Sequence, residues 1–235
     1  RGDFSFAHQL LMSLAEQGDP RAIIMAAGDF YVGWGVPADD AKAQEWRLRA
    51  KSVASPTDFD LVISRWRAMA AAGDAAAQVM LGAAYYAGFG VPMDPTEALK
   101  WIRTAAEQGH ARGEYALGEL YFAGDGVPRD VAEAIKWFSL AAEQGDASAQ
   151  LKLGMLTEKG LVPGGDAVSA VAWYRRAAEQ GNVEAELAAM EHVVIGATAA
   201  DVRRPFLYHG FLQGLGAGAV AVGLAASITL WLNAE

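Results

Sequence analysis

The chain has 235 residues, 26 of them glycine and none cysteine, with 28 acidic and 19 basic side chains and a formal charge of −9. The lack of cysteine excludes disulfides, thiol catalysis and cysteine-bound metal. A net-acidic chain with no Lys/Arg run also lacks the electrostatic term that supplies most nucleic-acid affinity, so no nucleic-acid partner is expected.

The sequence opens at Arg1 rather than methionine, so a processed or truncated chain is expected, and no secretory leader is visible in it. Residues 4–17, FSFAHQLLMSLAEQ, read as the second helix of a hairpin whose first helix is missing. Then two punctuation marks begin to alternate. The first is the glycine series Gly18, Gly73, Gly109, Gly145 and Gly181, the last four spaced 36 apart. The second is Pro37, Pro92, Pro128 and Pro163, each 18 or 19 residues after the preceding glycine. A helix-length segment separates each pair, and a period of this size implies stacked helical hairpins.

The first turn, DFYVGWGVPADD at 29–40, leads to Trp46, nine residues after Pro37, and that hairpin is complete by about Ala54. The interval from Gly18 to Gly73 is 55, which leaves SPTDFDLVISRWRAMAAAG as an extra, unpaired helix over about 55–72.

The unit from Asp74 to Gly109 shows the pattern in full. Asp74 caps a helix start, and Ala77, Leu81, Tyr85 and Tyr86 line one face. Gly82, Gly118 and Gly154 recur inside the first helix of successive units. Glycine there costs about 1 kcal/mol against alanine, so its repetition implies close backbone approach between helices. Gly88 ends the helix in the left-handed conformation and Gly90 relaxes the turn. Pro92 blocks backward extension of the second helix, Asp94 caps it, and Ala98, Trp101, Ala105 and Ala106 form its apolar face. Trp137 and Trp173 occupy the place of Trp101. The fourth turn, KGLVPGGD, loses a glycine before Pro163 and gains a residue after it. The last helix, about 184–195, has Met190 where the internal glycine should stand and is expected to cap the array.

The repeated Leu-Gly pairs (81–82, 117–118, 153–154), the G-x-G-V-P turns, the tryptophan of the second helix and the AAEQG endings together resemble the Sel1-like repeats, relatives of the tetratricopeptide repeats. The resemblance spans about residues 5–195. It implies an all-α fold, a right-handed α-solenoid over residues 1–200, and a role in protein–protein assembly without catalysis.

From Phe211 to Leu232 the tail FLQGLGAGAVAVGLAASITLWL holds no charge. About 20 apolar residues span a bilayer core, so a transmembrane helix over about 209–232 is expected within a membrane anchor at 201–235. Phe206, Tyr208 and Phe211 mark one interface and Trp231 the other. Arg203 and Arg204 place the repeat domain on the cytoplasmic side, a topology that a removed leader would invert. Gly210, Gly214 and Gly218, prolonged by Ala221 and Ala225, put small residues on one face, as close packing against a partner transmembrane helix requires.

None of His8, His110, His192 and His209 forms a metal-spaced pair or joins a nucleophile motif, so neither metal nor cofactor is expected. His110 replaces a capping Asp or Asn and reads as a solvated helix end. Acidic pairs such as Asp39–Asp40 fall at helix starts, where the dipole favours them. The middle residue of the G-x-G turn is Trp34, Phe89 and Asp125 in turn. The fold therefore does not demand an aromatic there, and Trp34 and Phe89 become candidate partner contacts. The functional expectation is a scaffold or accessory subunit of a membrane complex, contacting protein subunits and lipid. The alternative is a membrane-tethered adaptor that takes soluble peptides in the solenoid groove.

Overall fold

The computed structural model describes residues 4–196, which hold eleven helices and no strand. These are α1 (Phe4–Glu16), α2 (Pro20–Val32), α3 (Asp40–Val53), α4 (Pro56–Ala71), α5 (Ala75–Ala87), α6 (Pro95–Glu107), α7 (Ala111–Ala123), α8 (Val131–Glu143), α9 (Ala147–Glu158), α10 (Ala167–Ala178) and α11 (Val183–Gly196). Arg1 to Ala189 form one compact unit, and the second, Met190 to Glu235, lies largely outside the described residues. No described helix is long and apolar enough to cross a membrane, and the apolar stretch 211–232 falls outside the described residues.

The helix starts follow from local chemistry. Asp74 and Asp146 each accept the backbone N–H three residues on, at 2.7 and 2.8 Å, and Asp39, Asp94, Asp130 and Asp166 do the same for the second helices. Each such cap stabilises its helix by about 1 kcal/mol. Ser55 and Asp58 form a reciprocal capping box at α4.

The hairpin turns are held by main-chain bonds. Gly88 sits at φ 60°, and its N–H reaches Ala84 O. Phe89 N–H then donates to Ala84 O and Asp94 N–H to Tyr85 O. The turns at Gly33 and Gly124 repeat all three bonds, with Trp34 and Asp125 in the place of Phe89. The turn tolerates three unlike side chains because none of these bonds uses one. The fourth turn departs as its sequence implies: α9 ends at right-handed Lys159, and the positive φ angles fall on Gly160 and Gly164.

Four hairpins result: α2–α3, α5–α6, α7–α8 and α9–α10. In the last two of the three stacking steps the second helix of one hairpin packs on the first helix of the next, α6 on α7 and α8 on α9. The step from the first hairpin differs. It is α4, not α3, that packs on α5, and α4 also lies against α2. Trp66 of α4 is buried, and a side chain at Gly28 of α2 would meet its ring at 2.9 Å. The extra helix was expected to be unpaired. It has no hairpin partner of its own, yet it buries Val62, Ile63, Trp66 and Ala70 by occupying the place that α3 would otherwise take.

Candidate interaction surface

The glycine inside each first helix is a notch for one side chain of its hairpin partner. A Cβ on Gly82 would lie 2.6 Å from Ile102, one on Gly118 2.6 Å from Phe138, and one on Gly154 2.5 Å from Tyr174. No real Cβ tolerates such contacts, so glycine is required there for space. The residue that enters the notch is the one after the tryptophan. Trp101, Trp137 and Trp173 themselves are half-buried, and Trp137 and Trp173 pack on the clusters that hold Leu117 and Leu153 of the preceding first helices.

The AAEQG endings have a role that the sequence pattern does not reveal. Gln108 Nε2 donates to Gln78 Oε1 at 2.7 Å, Gln144 Nε2 to Glu114 Oε2 at 2.6 Å, and Gln180 Nε2 to Gln150 Oε1 at 2.9 Å. Gln78 and Gln150 pass the chain on to the carbonyls of Ala70 and Ala142. A polar ladder thus runs between hairpins through buried amides. Burial raises the pKa of Glu114, and the bond from Gln144 works against that rise. The equal 36-residue spacing of Gln78, Glu114 and Gln150 is the signal that could have found it.

The strongest polar feature joins distant repeats. Arg112, at the start of α7, is 2 % exposed. Its guanidinium donates to Ser148 Oγ at 3.1 Å and to Asp40, and lies 3.5 Å from Asp146. It also sits 4.5 and 4.7 Å from the ring centres of Tyr31 and Tyr115. Burial alone would depress its pKa. The Asp146 carboxylate, with both tyrosines, more than offsets this, and the pKa is raised. Ser148 Oγ closes the cluster by donating to Asp40 at 2.7 Å. Asp40 belongs to the first hairpin and Ser148 to the fourth. A contact over 108 residues joins hairpins that are not neighbours in the stack, beyond the nearest-neighbour contacts usual in a repeat array.

Asp39 and Asp40 were both expected to serve the helix start. Asp39 does so, whereas Asp40 turns to Arg112. His110 was expected to be a solvated end. It makes no side-chain cap bond, is half-buried, and has its pKa lowered by that burial despite Asp74 and Asp146. His8 of α1 instead meets Asp29 of α2 at 2.9 Å, where burial pushes the Asp29 pKa up to about 6 against the pull of His8.

The two candidate aromatics separate. Trp34 is half-buried on the core of the first hairpins. Phe89 is corrected as an exposed contact: only 3 % of it is accessible, because α4 brings Phe59 edge-on to its ring at 5.1 Å. Asp125, the polar member of the series, accepts from Tyr86 Oη at 2.7 Å, which raises the Tyr86 pKa to about 12. Gly210, Gly214, Gly218, Ala221, Ala225 and His209 lie outside the described residues.

Among the described residues no cluster of His, Asp and Glu has metal-binding geometry. One cavity, lined by Gly28, Tyr31, Trp66 and Met80 among others, measures about 20 Å³, which is room for one water. A second, of about 200 Å³ between α3 and the end of α5, is smaller than the roughly 300–1,000 Å³ of small-molecule sites.

Capped hairpins, glycine notches and a 36-residue ladder define a tandem helical-hairpin repeat protein. The Sel1 repeat pattern matches residues 20–51, 75–110, 111–146 and 147–182, more than half of the sequence. The chain belongs to the Sel1 repeat family. It is similar to a Sel1 repeat protein from Oxalobacter formigenes, at 38 % identity and TM-score 0.50, over 55 % of this chain and 96 % of that one. It is also similar to a protective antigen of uropathogenic Escherichia coli with the same type of fold, at 26 % identity and TM-score 0.51, over 80 % of this chain and 44 % of that one. A 40-residue segment is 58 % identical to part of the cell division protein FtsX of Pseudomonas putida, covering 17 % of this chain and 12 % of that protein. The chain thus spans less than half the length of the antigen and a small part of the cell division protein.

Proposed function

We propose that this protein is an accessory or assembly subunit of a membrane complex, held by one transmembrane helix and docking other subunits through its repeats. Sel1-repeat proteins in general are protein-interaction scaffolds. The observation that carries the membrane role is the uncharged stretch 211–232, with Gly210, Gly214 and Gly218 in register. A plain tether needs no small-residue face, whereas close helix association in lipid does. Arg203 and Arg204 favour a cytoplasmic repeat domain.

The adaptor reading, with peptides lying in the solenoid groove, has to accommodate the Arg112 cluster, whose guanidinium is already bonded to Ser148 and Asp40 and faces Asp146. The test is a Gly214→Leu/Gly218→Leu double variant purified in mild detergent. Leucine keeps the stretch apolar, so the protein stays in the membrane fraction. It also holds helices apart, so a stoichiometric membrane partner is lost. Unchanged co-purification overturns the tail as the docking element.

A further inference from the structure

The entry of α4 into the stack leaves α3 with an outer face that its counterparts do not have. Ile102 and Phe138 stand ten residues after the turn proline and fill the glycine notch. In α3 that position is Arg47. Ala106 and Ala142 stand five residues after the tryptophan and are 2 % exposed within the clusters shared with the next hairpin. In α3 that position is Lys51, which is exposed. Two core positions have become cationic on α3, whose place against the next first helix is taken by α4.

Gln44, Arg47, Leu48 and Lys51 fall at i, i+3, i+4 and i+7, one stripe along α3. They line the cavity of about 200 Å³ whose opposite wall is Ala87 and Phe89. Leu48 is 59 % exposed at its rim. Among the described residues no carboxylate pairs with Arg47 or Lys51. Arg47 has only the Tyr31 ring, 6.0 Å away, and its buried Nε atom lacks a hydrogen-bond partner. An unmet buried donor, a second unpaired cation and an apolar strip thus meet in one groove on a chain of net charge −9.

We propose that this groove binds an acidic segment of a partner protein, with carboxylates on Arg47 and Lys51 and one apolar side chain set on Leu48 and Ala87. The volume suits an anchoring side chain rather than a cofactor. The acidic surface elsewhere repels such a segment, so the groove gives register as well as attraction. This rests on the scaffold reading and names one of its docking surfaces, separate from the tail.

The test is fluorescence anisotropy with the full chain in mild detergent. The probe is a fluorescein-labelled peptide of glutamates around a central leucine, and the control is the same peptide with glutamines. The acidic peptide is expected to bind and the control to bind roughly tenfold more weakly, since two charge pairs are lost. Arg47→Gln/Lys51→Gln weakens the acidic peptide to the level of the control. Leu48→Ser and Lys51→Gln, both at exposed positions, weaken it with an unchanged melting midpoint. Lys136→Gln, on a cation already paired with Glu133, leaves it unchanged. Absence of acidic-peptide binding, or equal binding by the Lys51→Gln and wild-type chains, overturns the proposal. In that event retention of the membrane partner by the same variants leaves the scaffold reading standing, and its loss in the tail variant alone bears only on that reading.

Discussion

Gly118→Ala is the most informative single change in the array. Two effects oppose each other. Alanine favours an interior helix position over glycine by about 1 kcal/mol. Against that, the new Cβ would stand 2.6 Å from both Cδ1 and Cε1 of Phe138, nearly 1 Å inside ordinary contact. Phe138 is fully buried between α7 and α8, so the ring cannot swing into solvent. Overpacking of this kind costs about 1–3 kcal/mol, which makes Gly118→Ala neutral to destabilising by about 2 kcal/mol despite its better helix propensity. Phe138→Leu alone loses packing and is destabilising as well. In the double variant the smaller leucine makes room for the methyl group, so the two changes couple favourably by about 1 kcal/mol or more. Urea unfolding of the four chains measures this directly. Additivity within about 0.5 kcal/mol, or a Gly118→Ala chain more stable than wild type, would refute the notch as the reason for the glycine.

Arg112→Met leaves Asp146 buried without its cation, which costs about 3–5 kcal/mol, and it leaves the Ser148–Asp40 bond as the remaining link of the cluster between the first hairpin and the fourth. The expected readouts are a lower melting midpoint and a larger radius of gyration in small-angle scattering, and a chain of unchanged size would show that the cluster does not set the winding. Gln144→Ala removes one rung of the ladder and leaves buried Glu114 unpaired, so a loss of about 1–3 kcal/mol is expected, while the exposed Glu143→Gln should stay within about 0.5 kcal/mol. Asp29 titrates at about 6 in the fold against 3.8 as its ordinary value. Its contribution is therefore full below pH 4 and lost as pH rises through 6, and Asp29→Asn should flatten that part of the stability profile in urea titrations at pH 4, 5 and 7. A slope identical in both chains would remove Asp29 as its source.

Much of this architecture is local and therefore legible in the order of residues. A left-handed glycine, a capping aspartate and an apolar stripe of period 3.6 need only near neighbours, so Gly88, Asp94 and Leu81 announce their helices before any packing is known. The recurrence of Gly82, Gly118 and Gly154 likewise implied a close helix approach, though not its occupant. Which side chain entered the notch depended on the rotation of one helix against another, and this selected Ile102, Phe138 and Tyr174 rather than the neighbouring tryptophans. The destination of α4 was decided by competition for one apolar surface. Phe59 covers the turn after α5 and Trp66 covers Gly28 of α2, which the arginine- and lysine-rich α3 does less well, and Phe89 is buried as a result. Asp40 looked like any helix-start carboxylate, because nothing in its own segment shows that the winding of the array brings Arg112 and Ser148 to it. Sequence alone determines the repeat unit here, since each unit's signals are short-range. Tertiary structure alone decides which units touch out of order, since those contacts depend on the sum of small rotations from one hairpin to the next.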